Sequence, residues 1–223
     1  MFLRLMTAAV AAVLVLALIT QAAAAAEGGA AAAGATLKVV VLGDSLTAGF
    51  GLPTEAAFPV RLQAALQAKG IAVDIENAGV SGDTSSGGLG RLDWSVPDGT
   101  AAVIVELGAN DALRGIAPDV TRKALGEIIT RLQARGIAVL LCGMMAPPNY
   151  GADYAARFNA IFPDLAKQYD VPLYPFFLDG VAADAVLNQG DGMHPNAAGV
   201  DRIVERILPT VEAFLRSVQA RRG

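Results

Sequence analysis

Short apolar runs alternate along the chain with longer segments in which apolar residues recur every three to four positions. An uninterrupted apolar run is typical of a buried strand in a parallel sheet, whereas the wider spacing is typical of an amphipathic helix. The predicted strands cover residues 36–43, 71–79, 101–111, 137–145 and, more weakly, 171–177. Strands that alternate with helices predict an α/β fold, a three-layer α/β/α sandwich with a mostly parallel sheet.

Four helical stripes separate or follow these runs. The first stripe stops at Gly70 and the second at Gly136, because glycine is a common residue just beyond a helix. The third covers residues 154–165, and the fourth begins at Asn196. Pro209 lies inside the fourth stripe and predicts that this helix ends and restarts as a second one.

The first 26 residues have the pattern of an export signal. Arg4 provides a positive start, residues 5–19 form an apolar core, and an alanine-rich stretch offers cleavage sites near Ala26. An uncleaved membrane anchor is the alternative, because residues 5–26 carry no charge and are about long enough to span a bilayer. We favour cleavage, and therefore expect a periplasmic or secreted bacterial protein with no stable membrane anchor after the signal is removed.

Composition and charge restrict the class of the mature protein. Residues 27–36 are rich in glycine and alanine and predict a flexible linker, and residues 37–219 are long enough for one domain. The formal net charge is -4 and the body contains no basic run, which argues against a nucleic-acid partner. Cys142 is the only cysteine, so no disulfide can form within the chain, and His194 is the only histidine.

Glycine-containing polar segments follow three of the predicted strands, and a fourth such segment precedes the last helix. In doubly wound sheets, ligands bind beyond the carboxyl ends of the strands, so these segments should meet at one edge of the sheet. Their sequences are Gly-Asp-Ser at 43–45, "NAGVSGDTSSGG" at 77–88, Gly-Ala-Asn-Asp at 108–111 and "GDGMHPN" at 190–196.

Three kinds of site could lie at this edge. A Walker phosphate loop is excluded because no Gly-Lys-Ser/Thr follows the first strand, although a phosphate loop without lysine stays open. A metal site also stays open, but a binuclear hydrolase usually needs several histidines, and this chain has one. Its possible oxygen ligands would be Asp44, Asp83, Asp111 and Asp191.

Nucleophilic catalysis is the third possibility. Ser45 would lie on the turn from the first strand into a helix, and a serine hydroxyl needs a base to attack a carbonyl group. His194 can provide that base, and Asp191 lies three residues before it, within reach of a ring nitrogen. Each residue alone has an ordinary explanation, as a helix cap, a surface histidine or a turn aspartate. Their joint presence at the predicted edge favours catalysis.

Acyl transfer also needs hydrogen-bond donors for the negative charge that develops on the carbonyl oxygen. The candidates are the backbone N–H groups of Ser45 and Gly82 and the side-chain amide of Asn110. Gly82 can bring its N–H close to a ligand because it has no Cβ atom. Asn110 could equally form a simple turn at the end of its strand.

Taken together, these segments resemble the SGNH, or GDSL, hydrolase family. Its four blocks match, in order, "GDSL" with Ser45, "SGDTS" with Gly82, "GAND" with Asn110, and "DGMHP" with Asp191 and His194. Three longer stretches resemble the branch of bacterial secreted arylesterases and multifunctional thioesterase/lysophospholipases. They are "ENAGVSGDTSSGGLGRLDW", "VIVELGANDALRG" and "PPNYGADY".

The resemblance implies a flavodoxin-like SGNH fold and serine ester hydrolysis through an acyl-enzyme, with no metal or other cofactor. The nucleophile would be Ser45, the base His194 and its orienting carboxylate Asp191. Ser45, Gly82 and Asn110 would form the oxyanion hole. The substrate would be a small ester with a short to medium acyl chain: an aryl ester, an acyl thioester or a lysophospholipid. A carbohydrate O-deacetylase with the same residues and a non-catalytic binding protein are the alternatives.

Apolar residues after the third and fourth strands are candidates for acyl-chain contacts. We expect Leu113, Met144, Met145 and Pro147 to shape an acyl groove, although these side chains could merely pack their loops. Further apolar candidates are Pro148, Tyr150 and Leu187. Cys142 lies within an apolar run, where a free cysteine is usually inert.

Overall fold

The computed structural model describes residues 36–222, which contain a five-stranded parallel sheet with helices on both faces. The strands are β1 (Leu37–Gly43), β2 (Val73–Gly79), β3 (Ala102–Glu106), β4 (Ala138–Cys142) and β5 (Leu173–Tyr174). Their order in the sheet is β2-β1-β3-β4-β5, the flavodoxin-like order of doubly wound proteins. This architecture confirms the predicted three-layer sandwich.

Long helices cover the sheet, and two of the short helices begin just after β1 and β3 end. The helices are α1 (Ser45–Ala48), α2 (Phe58–Ala68), α3 (Ser85–Gly90), α4 (Leu92–Ser95), α5 (Ala109–Leu113), α6 (Pro118–Ala134), α7 (Ala152–Asn159), α8 (Ile161–Tyr169) and α9 (Ala197–Arg222). Helix α2 packs against α9, while α3 and α8 both pack against α6. Short 3₁₀ turns occur at Thr54–Ala56 and Pro148–Tyr150.

The central strands β1, β3 and β4 are almost wholly buried, as their apolar runs predict. The outer strands differ from the prediction of buried runs. β2 is an edge strand, and three of its seven residues are exposed. β5 has only two residues, because Pro172 and Pro175 flank it and proline cannot donate a hydrogen bond to a neighbouring strand.

Strand β3 ends earlier than the predicted range 101–111. It stops at Glu106, and Gly108 adopts a φ of 120°, a conformation that glycine allows because it has no side chain. The chain turns there and enters α5 at Ala109. Asn110 is therefore presented from the first turn of a helix rather than from a strand end.

The helical stripe at 154–165 forms two helices instead of one. Helix α7 ends at Asn159 and α8 begins at Ile161. Pro163 lies in the first turn of α8, where a missing backbone N–H costs little, whereas in a continuous helix it would leave the carbonyl of Asn159 without a donor.

The prediction that Pro209 divides the last helix is wrong. Helix α9 continues from Ala197 to Arg222 with Pro209 inside it. Apolar residues before and after the proline are buried on one face, including Ile207 and Val211, so packing stabilises the continuous helix. Pro209 and Glu205 lie on the exposed face, where water can bond the carbonyl of Glu205 that the proline leaves free.

The predicted export signal, residues 1–26, lies outside the described residues, as does the predicted linker at 27–36 except for its last residue. These predictions therefore stay predictions. Within residues 36–222, no helix combines the length and the apolar character needed to cross a bilayer.

Candidate active site

The site lies where the sheet changes its direction of winding. From β1 the chain crosses to β2 on one side, and β3, β4 and β5 follow on the other side. Ser45 begins α1 directly after β1, and Asn110 lies in α5 after the neighbouring strand β3. Loops diverge at such a switch point and leave a crevice at the carboxyl ends of the strands.

Ser45, His194 and Asp191 come together in this crevice although 149 positions separate the serine from the histidine. The Oγ atom of Ser45 lies 3.0 Å from Nε2 of His194, and Nδ1 of His194 lies 2.6 Å from Oδ2 of Asp191. Ser45 is mostly buried, and the histidine reaches it from the loop before α9. The arrangement lets the imidazole accept the serine proton while the carboxylate holds the opposite nitrogen.

Asp191 is held as an ionised carboxylate by the loop that contains the histidine. Its Oδ1 accepts the backbone N–H groups of Met193 at 2.9 Å and His194 at 3.0 Å. These bonds, together with the contact to the imidazole, lower the pKa of Asp191 well below its usual value. A carboxylate fixed in this way orients the ring and stabilises an imidazolium.

Two residues that sequence reasoning missed hold His194 from other directions. The ring of Phe50 lies against the imidazole with a centroid distance of 4.5 Å. The backbone N–H of Gln189 donates to the carbonyl of His194 at 2.7 Å, and its side-chain amide donates to the carbonyl of Phe50 at 2.7 Å. Gln189 thus joins the histidine loop to the loop after α1. Neither residue belongs to a motif, so only the folded structure reveals them.

The predicted oxyanion donors differ in how they connect to Ser45, and Asn110 is joined to the Ser45 turn through Asp44. The backbone N–H groups of Ser45 and Gly82 donate to no other group among residues 36–222 and are thus available to a ligand. Nδ2 of Asn110 donates one hydrogen to Oδ2 of Asp44 at 3.0 Å. An amide nitrogen has two hydrogens, so the second remains free.

Gly82 occupies a turn that requires its φ of 85°. The N–H of Asp83 donates to the carbonyl of Val80 at 3.0 Å, which closes a turn with glycine at its third position. Arg114 donates from Nη2 to the carbonyl of Gly82 at 2.8 Å and so connects this turn to the end of α5.

An apolar cavity of about 490 Å³ opens beside Ser45 and His194. Its size falls within the usual range for small-molecule sites. All four predicted acyl-contact residues, Leu113, Met144, Met145 and Pro147, line it, whereas Gly82 does not. Other apolar lining residues are Leu46, Ala109, Ala112, Ala146, Pro148, Phe176, Leu178, Ala182, Ala183 and Met193.

Two of the further candidates do not line this cavity. Tyr150 packs against Tyr154 and donates its hydroxyl to the carbonyl of Leu113 at 2.9 Å, so it holds a lining residue in place. Leu187 lies behind the histidine loop, where its carbonyl accepts the N–H of Asn196 at 2.9 Å. Their apolar character serves packing rather than the cavity wall.

The aspartates that could have formed a metal site have separate partners. Asp83 pairs with Arg91 at 2.6 Å, and Asp111 accepts from the hydroxyl of Thr121 at 2.8 Å and from the backbone N–H of Ser85 at 2.8 Å. Within residues 36–222, no three His, Cys, Asp or Glu side chains are grouped as metal ligands would be. Asp83 and Asp111 instead anchor the loops that surround the site.

Cys142 is buried at the end of β4, as expected. Burial raises the pKa of its thiol well above the usual value. A thiol that resists ionisation is a poor nucleophile.

A doubly wound sheet with serine, histidine and aspartate aligned at its switch point defines a class of serine hydrolases. Residues 41–202 match the GDSL-like lipase/acylhydrolase family, and the chain belongs to this family. It is a carboxylic ester hydrolase with the SGNH fold. The fold, family and enzyme class that the sequence motifs implied are thereby confirmed.

Three proteins with sequences similar to this chain are named for the activities of esterases and related hydrolases. Esterase TesA of Pseudomonas aeruginosa is 39% identical, covering 81% of this chain and 90% of the relative. Thioesterase 1/protease 1/lysophospholipase L1 of Escherichia coli is 42% identical, covering 71% and 75%. An arylesterase of Vibrio mimicus is 40% identical, covering 77% and 86%. A crystal structure of TesA matches the fold with a TM-score of 0.76 at 39% identity, over 79% of this chain and 99% of that one.

Proposed function

We propose that this protein hydrolyses small esters with short- to medium-length acyl chains, using Ser45 as nucleophile, His194 as base and then acid, and Asp191 to orient the histidine. The observation that carries the proposal is the alignment of Ser45 Oγ at 3.0 Å from His194 Nε2, at the wall of an apolar cavity of about 490 Å³. The hydroxyl can be activated there, and an acyl chain can be held beside it.

The first half of the reaction forms an acyl-enzyme. His194 Nε2 takes the proton of Ser45 as Oγ attacks the carbonyl carbon, and the oxyanion accepts hydrogen bonds from Ser45 N–H, Gly82 N–H and Asn110 Nδ2. The protonated imidazole then gives its proton to the leaving oxygen as the bond between carbon and leaving group breaks. Each oxyanion donor contributes roughly 3 kcal/mol to the stability of the transition state.

The second half releases the acid. A water molecule gives a proton to His194 and attacks the acyl carbon, and the same three donors hold the new oxyanion. When this intermediate breaks down, His194 returns the proton to Ser45 Oγ. The acyl chain leaves as a carboxylic acid, and the enzyme regains its starting state.

The cavity lining favours an acyl chain over a sugar. Met144 is buried and Met145 is half-exposed, so the thioethers line both the depth and the mouth of the cavity. Methionine side chains adapt their shape to flexible apolar ligands. A carbohydrate ester would need polar partners for its hydroxyl groups, and this cavity wall has few polar groups.

The names of the relatives indicate the substrate class. They include thioesterase, lysophospholipase and arylesterase, so the proposed substrates are acyl thioesters, lysophospholipids and aryl esters.

Hydrolysis of p-nitrophenyl esters from acetate to palmitate tests the chemistry. We expect turnover that peaks at one chain length in the wild type and falls at least about 10³-fold in Ser45→Ala, because the alcohol nucleophile is lost. Ser86→Ala, which changes an exposed serine of α3, is the matched control and should keep full turnover. Undiminished hydrolysis by Ser45→Ala would contradict the proposal. A wild type that cleaves acetylated sugars but no p-nitrophenyl ester would favour the O-deacetylase alternative.

The cavity wall predicts how chain-length preference changes. Met145→Ala enlarges the mouth of the cavity, so the preferred acyl chain should become longer. Met145→Trp narrows the mouth, so the preferred acyl chain should become shorter. Val120→Ala alters an exposed apolar residue of α6 outside the cavity and serves as control. The measurement is kcat/KM across the same ester series. An unchanged profile in both Met145 variants would remove this residue from the acyl groove.

Export is proposed from the N-terminal sequence alone. We expect cleavage near Ala26 and release into the periplasm or medium, in keeping with the charged start and apolar core of residues 1–26. Expression of the full chain in a bacterium with a C-terminal tag, followed by mass measurement of the fractionated protein, tests this. An intact N-terminus in the membrane fraction would support the uncleaved anchor instead.

A further inference from the structure

Glu106 is a charged residue type in an unusual position. It ends β3 and is fully buried, and among residues 36–222 no N–H or O–H group lies in good geometry to donate a hydrogen bond to either of its side-chain oxygens. Glutamate is almost never fully buried unless it is paired, and an isolated buried carboxylate is very costly. The side chain therefore needs an explanation that the proposed reaction does not provide.

The carboxyl group of Glu106 lies directly behind the nucleophile turn. Glu106 is in register with Gly43, the last residue of β1. A Cβ atom at Gly43 would approach Oε2 of Glu106 to 3.0 Å and would collide with Oγ1 of Thr47. The glycine before Asp44 and Ser45 thus leaves room for the buried carboxyl group.

Asp44 is a second fully buried carboxyl group, and it connects two parts of the oxyanion hole. Its Oδ1 accepts the backbone N–H of Leu46 at 2.9 Å, which fixes the turn that contains Ser45. Its Oδ2 accepts Nδ2 of Asn110 at 3.0 Å, which fixes the amide plane. An ionised acceptor makes hydrogen bonds about twice as strong as a neutral one.

If Glu106 were ionised beside an ionised Asp44, no unpaired positive charge among residues 36–222 would balance its negative charge. Arg91 binds the carbonyl of Gly43 at 2.8 Å, but its guanidinium is already paired with Asp83 at 2.6 Å. Asp111 is another buried acidic residue, and its carboxylate already accepts hydrogen bonds from the backbone N–H of Ser85 and the hydroxyl of Thr121.

Two further groups can influence the ionisation of this pair. His194 favours the ionised form of Asp44, and Cys142, in register with Glu106 on β4, is held as a neutral thiol. Neither supplies a fixed positive charge beside Glu106.

The environment keeps a proton on this pair of carboxyl groups. Burial raises the pKa of Glu106 well above its usual value, and the charge of Asp44 adds to this rise. Burial also raises the pKa of Asp44, to about 6, while its bonds to Leu46 and Asn110 oppose the rise. Two adjacent buried carboxyl groups cannot both ionise readily, so one proton is retained when Asp44 is ionised.

We propose that Glu106 is a neutral carboxylic acid that donates a hydrogen bond to the carboxylate of Asp44, and that this pair positions the Asn110 amide in the oxyanion hole. The second part rests on the proposed function of Asn110, whereas the first concerns the folded protein alone. Glu106 and Asp44 are positioning residues because they act through Asn110 and the Ser45 turn. A neutral Glu106 also avoids a second negative charge behind the developing oxyanion.

The location of the proton can be measured without a substrate. Infrared difference spectra of the wild type minus Glu106→Gln at pH 8 should show the carbonyl band of a neutral carboxylic acid. The same band should persist in Asp44→Asn, because the proton lies on Glu106. A wild type without such a band at pH 8 would overturn the proposal, as would a band that is lost in Asp44→Asn and kept in Glu106→Gln. This result does not depend on whether Ser45 is the nucleophile.

A double-mutant cycle tests the positioning role, using the p-nitrophenyl ester that the wild type cleaves fastest. Asp44→Asn should lower kcat roughly 10- to 100-fold with little change in KM, because only transition-state stabilisation is weakened. In an Asn110→Ala background the same substitution should cost almost nothing further, since its target is gone. Equal losses in both backgrounds would show that Asp44 does not act through Asn110.

Variants of Glu106 provide a second measurement if Asp44→Asn fails to fold. Glu106→Gln keeps an N–H donor toward Asp44, whereas Glu106→Leu has similar size and no donor. We expect kcat to be at least about tenfold higher in Glu106→Gln than in Glu106→Leu, with thermal unfolding measured for each variant. Equal kcat values in the two folded variants would contradict the donor role of Glu106.

Discussion

Asp191 shows how a single side chain prepares another one for chemistry. One of its oxygens accepts two backbone N–H groups of its own loop, and the other contacts the Nδ1 atom of His194 at 2.6 Å. The loop therefore fixes the carboxylate, and the carboxylate fixes the ring. The bonds from the loop keep its pKa low, so the acceptor remains ionised over the whole neutral range.

The substitution Asp191→Asn should lower kcat for ester hydrolysis by about 10² to 10⁴-fold at neutral pH. The asparagine amide can place an N–H against Nδ1, which favours the tautomer whose Nε2 cannot accept the serine proton. Steady-state kinetics and thermal unfolding should be measured together. Asp201→Asn, on the exposed side of α9, is the control and should keep normal kinetics. A loss of less than threefold in folded Asp191→Asn would contradict the orienting role.

Helix α9 shows that packing can overrule a local signal. Proline in a helix interior removes a backbone hydrogen bond and costs about 3 kcal/mol. The helix nevertheless continues past Pro209, because apolar residues on both sides of it are buried against the sheet and α2. His194 lies three residues before this helix, so α9 also anchors the loop that contains the catalytic candidates.

Replacing this proline should strengthen the helix. Pro209→Ala restores an N–H that can bond the carbonyl of Glu205, and we expect the unfolding free energy to rise by about 1 to 2 kcal/mol. Urea denaturation followed by circular dichroism measures this change. Pro118→Ala is the matched control, because Pro118 begins α6, where proline fits and its removal should give no gain. A loss of stability in Pro209→Ala would show that the proline makes packing contacts worth more than the hydrogen bond.

For the protein as a whole, the buried carboxyl pair links stability to pH. A carboxyl group whose pKa is higher in the folded state holds its proton more tightly there than in the unfolded chain. The free energy of unfolding therefore falls as pH rises from the unfolded pKa toward the folded one. Asp44, with its pKa raised from 3.8 to about 6, and Glu106, raised from 4.5, both act in this direction.

Removing the Glu106 carboxyl group should flatten this dependence. The wild type loses stability as pH rises above about 5, whereas Glu106→Gln lacks the group responsible. We therefore expect the unfolding free energy of Glu106→Gln minus that of the wild type to rise with pH. The slope should be at most roughly 1.4 kcal/mol per pH unit, until the folded pKa of Glu106 is reached. Urea denaturation between pH 5 and pH 9, at intervals of about one pH unit, provides the curves. Glu127→Gln, on the exposed side of α6, serves as control. A constant difference between wild type and Glu106→Gln would show that Glu106 ionises alike in both states.

Much of the fold could be predicted from the sequence because the central strands are buried on both faces. β1, β3 and β4 read as continuous apolar runs, and such runs allow few alternatives. The errors occurred where tertiary contacts control the local conformation. Pro209 stays within a helix, the stripe at 154–165 bends at Ala160, and the apolar residues Tyr150 and Leu187 pack away from the cavity.

Periodicity and short motifs were enough to establish the order of strands and helices, the family, and the residue types that stand at the strand ends. The way in which those ends combine depends on the folded chain. The 3.0 Å contact between Ser45 and His194, the ring of Phe50 against the imidazole and the burial of Glu106 behind Asp44 join residues far apart in the chain. No local pattern encodes such distances, since they arise when β1 and β3 pair and α9 packs against α2 and β4.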